Sequence, residues 1–309
     1  MVIQHLAYLA ALAREGHFGR AAASCHVSQP TLSAGIRRLE SEFGVSLVQR
    51  GQRFEGLTPE GERVLVWAHQ LLSDVDGMRQ EVDAMRAGLT GRLRLGAIPT
   101  SLPSVSLLTA PFTARHPGVS VSIHSLTSRQ IERGLDDYSL DVGLTYFDSE
   151  PLSGVRTLPL YRERYVLLTA ADGPFADHAE VEWAEAARVP LCLLTEDMQN
   201  RRIVDELFQE AGARPRPVIE TNSISTLYAH TRDGTRSSVM AHAWLHLFGV
   251  PEGLRAVPLV APRATRGIAV VTPERVPQGI LTGALVEVAA ELDLQSVLDR
   301  VLVATRTDT

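Results

Sequence analysis

Hydroxyl and amide side chains recur where apolar, alternating runs hand over to helical ones: Thr100-Ser101, Thr127-Ser128, Thr145 and Asn222-Ser223, with Asp197-Met198-Gln199-Asn200 at a further helix start. Helix N-termini present unpaired N–H groups and the positive end of a dipole, so such a set suits a small carboxylate or similar oxyanion. Taken singly, each Ser, Thr or Asn is as readily an ordinary helix cap. Only their joint placement around one cleft makes them a site. A second polar set opens a short helix, where Gln29, Thr31, Ser33, Ala34 and Arg37 fall on or near the outward N-terminal face while Leu32, Ile36 and Leu39 form an apolar stripe.

Catalytic chemistry finds little footing. All 30 basic residues are arginines, so a Walker-type phosphate lysine and a Schiff-base lysine are both excluded. Neither HExxH nor GxSxG occurs, and Asp136-Asp137 reads as a helix-end charge cluster rather than an acid pair. His242 and His246 lie four apart and share a helix face, which allows a metal but favours a structural reading. Cys25 and Cys192 are too far apart in sequence for a CxxC or zinc cluster, and Cys192 lies in an apolar segment, so a disulfide framework, a metal and a peroxide-sensing thiol pair are all unexpected. No cofactor is expected.

The elements that would position these groups begin with a helical run, Ile3, Leu6, Leu9, Ala10 and Leu12, stopped by Gly16. A second, short helix carries Ala21-Ala22-Ala23. Ser28 then caps a third, with Pro30 in its first turn, where a missing N–H costs nothing. Two short helices joined by a tight turn suggest a helix-turn-helix. Gly44 to Arg53 followed by Leu57-Thr58-Pro59-Glu60-Gly61 reads as a β-wing leading to a fourth helix. That helix places Val64, Ala68, Leu71, Val75, Met78, Val82 and Met85 at alternating steps of four and three, an a/d seam that implies at least a dimer. The competing reading is an amphipathic helix packed on its own domain, and Gly77 weakens it by ~1 kcal/mol relative to Ala.

Past Gly91, strands and helices alternate. Strand-like runs occur at Arg92 to Ile98, Val119 to Ile123, Asp141 to Leu144, Arg164 to Leu168, Pro190 to Leu194, Val218 to Glu220, Ser238 to Met240 and Gly267 to Val271; helices are expected at Pro103 to Arg115, Ser128 to Leu135, Asn200 to Ala211 and, last, about Gly279 to Val303. This order argues a parallel-rich α/β body with ligand sites at the carboxyl ends of strands. The net charge of −6 divides unevenly: residues 1–63 hold seven Arg against six acids, the remainder 23 Arg against 30. A DNA-binding head on an acidic body is compatible with that division, and indiscriminate polyanion binding is not. No apolar run reaches the ~18 residues of a membrane span, and no charged leader precedes a hydrophobic core, so a cytoplasmic protein is expected.

Arg20-Ala21-Ala22, Val27-Ser28-Gln29-Pro30-Thr31-Leu32-Ser33, Ile36-Arg37-Arg38-Leu39-Glu40, Phe43 to Arg50 and Leu57 to Gly61, followed by the long helix and the strand opening at Gly91, closely resemble the LysR-type transcriptional regulators. The resemblance implies an N-terminal all-α winged helix-turn-helix at 1–62, a dimerising linker helix at 63–88 and an α/β effector domain at 92–303. That domain is two-lobed and similar to the type-2 periplasmic binding proteins, with lobe I at 92–160 and 266–303 and lobe II at 161–265. It implies operator DNA, a small-molecule effector and a second copy of the chain as partners, usually in a homotetramer, with RNA polymerase a further candidate. The sequence departs from the family at Cys25, where Leu is frequent, Val48, where Phe is, and Ala34, where a basic residue is.

On this resemblance DNA reading falls to Gln29, whose amide can pair bidentately with adenine, to Pro30 and Thr31 against thymine methyls, and to Ser33. Arg50 and Arg53 would reach phosphates or a minor groove from the wing, and Arg37 the backbone; for Arg37 and Arg38 a solvated face pairing with Glu40 or Glu42 is the alternative. Thr100, Ser101, Thr127, Ser128, Thr145, Met198, Asn222 and Ser223 would line the effector cleft. A transport solute-binding protein would explain the α/β body but not residues 1–63, and an enzyme fused to a DNA-binding domain needs a catalytic constellation that is not found.

Overall fold

The computed structural model describes residues 2–50 and 54–307. The chain divides into two compact units, Met1–Thr90 with Gly134–Ser139, and Gly91–Arg133 with Leu140–Thr309.

In the first unit, α1 (Ile3–Glu15) ends at Gly16, whose left-handed φ of 61° returns an N–H to the Leu12 carbonyl. The imidazole of His17 caps α2 (Phe18–Ser24), and Ser28 caps α3 (Gln29–Phe43) by accepting from the Thr31 N–H at 3.3 Å. Leu6, Leu9 and Leu12 meet Ala21, Ala22, Leu32, Ile36 and Leu39 in one core. α1 and α3 approach closely at Gly35, where a Cβ would stand 2.6 Å from the Tyr8 ring. The wing is an antiparallel pair, β1 (Val48–Arg50) and β2 (Phe54–Leu57), with Val48 opposite Leu57. The Glu40 carboxylate accepts from the N–H groups of Leu47 and Val48 and so anchors the first strand. Thr58 caps α4 (Pro59–Ala87). In the first turn of α4, Gly61 passes so close to Leu47 that a Cβ would lie 2.0 Å from the Leu47 carbonyl oxygen.

The second unit begins with β3 (Gly91–Ala97), a 3-10 turn at Pro99–Ser101, α5 (Leu102–Arg115), β4 (Val119–Ser125), α6 (Ser128–Asp136) and β5 (Val142–Tyr146). The 16-residue β6 (Val155–Ala170) follows, then β7 (Val181–Glu182), α7 (Trp183–Ala186), β8 (Leu191–Leu194), α8 (Gln199–Glu210), β9 (Pro217–Thr221), α9 (Ile224–Thr231), β10 (Ser237–Ala241), α10 (His242–Phe248), β11 (Leu254–Val260), β12 (Thr265–Pro273), α11 (Ile280–Glu291) and α12 (Leu294–Thr307). The sheet order is β4-β3-β5-β12-β6-β10-β8-β9, with β11 also on β6. Pairing is parallel in β4-β3-β5 and in β10-β8-β9, and antiparallel wherever β6 or β12 takes part. β6 joins the two parallel sets: Val155 to Arg164 pair with β12, and Tyr165 to Ala170 pair with β10 or β11. The body is thus two α/β lobes sharing long crossing strands.

Two expectations need correction. The single final helix is two, because the chain turns out of helix at Leu292 and the Asp293 carboxylate accepts from the Ser296 N–H to start α12. The strand expected at Arg164 to Leu168 is the distal part of β6, whose proximal part alternates exposed Arg with buried residues and lacks an unbroken apolar run. The elements β7, α7 and β11 carried no separate sequence expectation.

Candidate functional site

In the first unit the buried stripe of α3 fixes which residues face out. With Leu32, Ile36 and Leu39 wholly buried, Gln29, Pro30, Thr31 and Arg37 are exposed and Ser33 is half-buried. The Ser28 and Thr31 hydroxyls share a hydrogen bond of 2.8 Å, so the threonine presents its methyl more freely than its hydroxyl. Arg38 pairs with Glu42 at 3.9 Å, whereas Glu40 is spent on the wing. Arg50 ends β1, and Arg53 lies outside the described residues. The helix therefore keeps its leading edge clear of its own core, as a groove-entering helix must.

In the second unit the polar ends of both lobes meet. Thr127 and Gln130 cap the start of α6 reciprocally: the Thr127 N–H donates to the Gln130 amide oxygen, and the Gln130 N–H to the Thr127 hydroxyl. Ser128, buried in the first turn, donates to the amide oxygen of Gln199 at the start of α8 and accepts from Thr145 at 3.2 Å. The Gln199 amide nitrogen donates to the Ser149 carbonyl at 2.6 Å. Beside this pair, Tyr146 on β5 gathers three partners at one hydroxyl. It accepts from the Asn200 amide at 2.9 Å, shares a 3.2 Å bond with Thr100, and donates to Glu163 Oε2 on β6 at 2.7 Å. Two helix N-termini and a set of hydroxyls thus face one another across the cleft, where the residual void among Thr100, Ser128, Tyr146, Met198 and Asn200 is about 10 Å³. That is room for a single water at most.

The remaining expected residues sit differently. Ser101 is buried and turned inward, its hydroxyl donating to the Ile98 carbonyl. Ser223 caps α9, accepting from the Thr226 N–H, and Asn222 is exposed; it is Ile224 and Leu227 of that helix that border the cleft. Of the run at 197–200, Met198, Gln199 and Asn200 border it. Tyr146 and Glu163 were missed. The signal was present in Tyr161-Arg162-Glu163-Arg164-Tyr165: period-two alternation puts the acid on the same face as two aromatic residues, an unusual place for a charge.

Burial sets the electrostatics. Glu163 is wholly buried and its carboxyl is pushed up to about 8, the Tyr146 bond opposing the rise and Asp148 adding to it. Burial likewise raises the hydroxyls of Tyr146, Tyr161 and Tyr165 well above the usual phenol range. On α10, His242 accepts from the Arg164 N–H at 3.1 Å and is pushed down to about 4 by burial, against the pull of Asp299. A buried imidazole that holds the backbone of β6 supports the structural reading of His242 over a metal ligand, and no cluster suited to a metal ion occurs among the described residues. A depression of about 440 Å³ is bordered by Tyr165, Val166, Pro258, Leu259 and Val260, and its rim charges are already paired, Arg164 with Asp299 and Arg263 with Glu180. No described helix is long and apolar enough to cross a membrane.

A winged helix-turn-helix with a bare recognition edge, a long helix, and two α/β lobes closed on a polar cleft make up a DNA-binding transcriptional regulator with an effector-binding domain. Residues 3–62 match the family model described as bacterial regulatory helix-turn-helix protein, lysR family, and residues 86–293 match LysR substrate binding domain; the chain belongs to the LysR family of transcriptional regulators. It is 30% identical over 272 residues to the DNA-binding transcriptional dual regulator OxyR of Escherichia coli K12, covering 88% of this chain and 89% of that protein. To the hydrogen peroxide-inducible genes activator of Dickeya chrysanthemi it is 29% identical over 272 residues, covering 88% and 89%. A full-length OxyR variant from Pseudomonas aeruginosa superposes with a TM-score of 0.77 at 29% identity, over 96% of this chain and 99% of that one. CbnR, a LysR family regulator solved in complex with its target DNA, shares the fold at a TM-score of 0.66 and 23% identity, over 94% and 99%.

Proposed function

We propose that this chain is a sequence-specific regulator whose operator binding or activation is modulated by a small anionic, carboxylate-like metabolite held between its two α/β lobes. The observation that carries this reading is the meeting of Ser128 with Gln199 at the N-termini of α6 and α8. There the protein's own amide oxygen occupies the place an oxyanion would take, in the field of two helix dipoles. Thr100, Thr127, Ser128 and Met198 would line the cleft, with Thr145 and Ser101 supporting from behind and Asn222-Ser223 at its edge.

The division of labour follows the one stated from sequence: a DNA-binding head at 1–62, a linker helix at 63–88, and lobes at 92–160 with 266–303 and at 161–265. Gln29, Pro30, Thr31 and Ser33 would read bases and Arg37, Arg50 and Arg53 the backbone. The protein works in the cytoplasm, as a dimer through the linker helix and then a tetramer, with RNA polymerase a further partner. Hydrogen peroxide, the stimulus in the names of several relatives, finds no support in the thiol of the α/β body. Cys192 is wholly buried on β8 with its thiol pushed up by burial, so it offers no reactive thiolate.

The test is fluorescence anisotropy on the DNA upstream of the chain's own gene, at two salt concentrations, with and without a panel of small carboxylates screened first by thermal shift. A carboxylate that raises the melting temperature and changes operator affinity, both abolished by Ser128→Ala, is the expected result. A panel inert on the wild type overturns the anionic effector, and an absence of sequence preference overturns the regulator.

A further inference from the structure

The cleft continues past its hydroxyls into a second compartment of different chemistry. Thr100, Leu194 and Asn200 border both, so the two adjoin at that waist. Beyond it stand Ile224, Leu227, Val239, Met240 and Trp244, and the free volume is again about 10 Å³. Among the described residues no charged side chain borders this compartment. At the waist the polar groups are already engaged: the Asn200 amide donates to the Tyr146 hydroxyl at 2.9 Å, and Thr100 shares a 3.2 Å bond with it.

One donor is left over. Trp244 is 6% exposed, and its Nε1 is sealed from solvent with no hydrogen-bond partner among the described residues. A hydroxyl can turn to find an acceptor or serve as one, whereas an indole nitrogen is a donor only, fixed in the plane of its ring. That ring stacks on Phe248 with centroids 5.3 Å apart, and the core cluster that holds it is apolar, with Leu194, Ile224, Leu227 and Met240 among its members. Trp183, the other buried indole, shows the usual outcome, its N–H donating to the Pro262 carbonyl at 3.0 Å. A buried donor without an acceptor is destabilising, and whatever brings an acceptor to it recovers that loss.

We propose that Trp244 sets the specificity of the cleft, its indole N–H receiving a neutral oxygen at the far end of an effector whose anionic end lies at Ser128. The anionic end rests on the reading of the cleft given above, and the far end rests on Trp244. The apolar walls suit the hydrocarbon between the two ends. With no cation bordering the second compartment, a second anionic group there would be buried unpaired, which leaves a carbonyl or ether oxygen as the acceptor. The ligand class is an oxo- or alkoxy-substituted carboxylic acid. Each compartment is closed down to the volume of about one water, so the acid must displace its walls, which couples recognition to the angle between the lobes.

The experiment is calorimetry and ultraviolet resonance Raman spectroscopy on the full chain, with pairs of acids in which one oxygen replaces one carbon: 4-oxopentanoate with 4-methylpentanoate, 5-oxohexanoate with 5-methylhexanoate, and 4-methoxybenzoate with 4-ethylbenzoate. A third series, 2-butanone, 2-pentanone and anisole, lacks the acid. The oxygen-bearing acid that binds does so about tenfold more tightly than its carbon partner, the difference between a buried donor satisfied and one left unpaired. In the free protein the indole band carries an unbonded component that is absent from Trp244→Phe; the oxygen-bearing acid moves it to the bonded position, and the carbon partner leaves it in place. Trp244→Phe keeps an aromatic ring without the N–H and binds the two partners alike. Should that variant fail to fold, the Raman comparison on the wild type carries the test. Partners that bind the wild type equally overturn the inference, as do a preference that survives Trp244→Phe and a free protein whose three indoles are all hydrogen-bonded. Binding by the ketones or anisole but by none of the acids, with the indole band shifted, upholds the Trp244 assignment and overturns the anionic end. Binding by both members of an acid pair without preference does the reverse, and silence from all three series overturns both.

Discussion

The Tyr146 hydroxyl donates to Glu163 Oε2 across 2.7 Å, tying β5 of one lobe to the strand shared by both, and it does so to a carboxyl with no exposed surface. Burial holds that carboxyl to about 8, whereas in the unfolded chain it titrates near ~4.3. Across that window the native state keeps a proton that the unfolded state gives up. The group therefore stabilises the fold most fully below the unfolded value, and this contribution is lost as the pH rises through about 8. Glu163→Gln removes the titration. Thermal melts should show the variant gaining on the wild type steadily from acid to alkaline pH, with the gain levelling off above the folded-state value. A constant difference across the range would mean that Glu163 is ionised in the native protein.

In the proposed reading, recognition by α3 separates into two kinds of residue. Gln29 is exposed at the helix start with no described partner for its amide, so Gln29→Ala should cost ~1–3 kcal/mol on the cognate operator and relax preference at one base position. Arg37, exposed two turns on, contacts backbone in this reading. Arg37→Ala should weaken all sequences alike and flatten the salt dependence by about one phosphate contact. Anisotropy with cognate and scrambled duplexes at several salt concentrations distinguishes the two. If the two variants behave identically, the sorting into base and backbone contacts is wrong.

What the sequence disclosed follows from where the chain's information is local. Ser28, Pro30, Gly44 and Thr58 act on their own neighbours, so helix starts and stops in the head are legible in the sequence. The parallel strands β3, β4, β8 and β10 showed themselves through apolar runs or alternation. By contrast, the junction of the lobes depends on pairings such as Val155 with Pro273 and Ala170 with Leu254, more than eighty residues apart in the chain, which no local pattern encodes. The cleft was half legible for the same reason. Thr100 and Ser128 announce themselves as polar residues at helix starts, whereas the value of Tyr146 and Glu163 lies in a contact between strands.

Two glycines at helical positions should respond in opposite directions. At Gly35 a Cβ would fall 2.6 Å from a Tyr8 ring that is itself buried, so Gly35→Ala forces α1 and α3 apart and should cost ~1–3 kcal/mol by overpacking. At Gly77, within α4, nothing lies within 4 Å, and Gly77→Ala should instead stabilise the helix by ~1 kcal/mol. Denaturant titration of the two variants gives the signs directly. A neutral Gly35→Ala would show that the Tyr8 ring can yield.

Near the start of α4 the expected seam turns into the head, Ala68 being buried in its core with Val64 and Leu65 packed against it, whereas the later part of the helix carries its apolar residues outward. Met78, Val82 and Met85 are exposed, Met85 to 88%, and Leu71 and Trp67 add to the same helix, an arrangement no isolated surface helix maintains at equilibrium with water. The spacing that places Val75, Met78, Val82 and Met85 in steps of three and four concentrates this surface into a seam wide enough for one partner helix. In the proposed dimer a second copy of the chain would supply the matching seam by symmetry and, with it, a second recognition helix. The double change Met78→Asp and Val82→Asp places like charges face to face in that seam while touching nothing in the core of the head. Light scattering should then report a fall to monomer mass with circular dichroism nearly unchanged. Operator affinity should drop by about 10²- to 10⁴-fold, the loss expected when two linked half-site contacts become one. A wild-type chain that is monomeric at micromolar concentration, or a variant that stays dimeric with full affinity, would move the dimer interface elsewhere and leave the apolar face of α4 without an explanation.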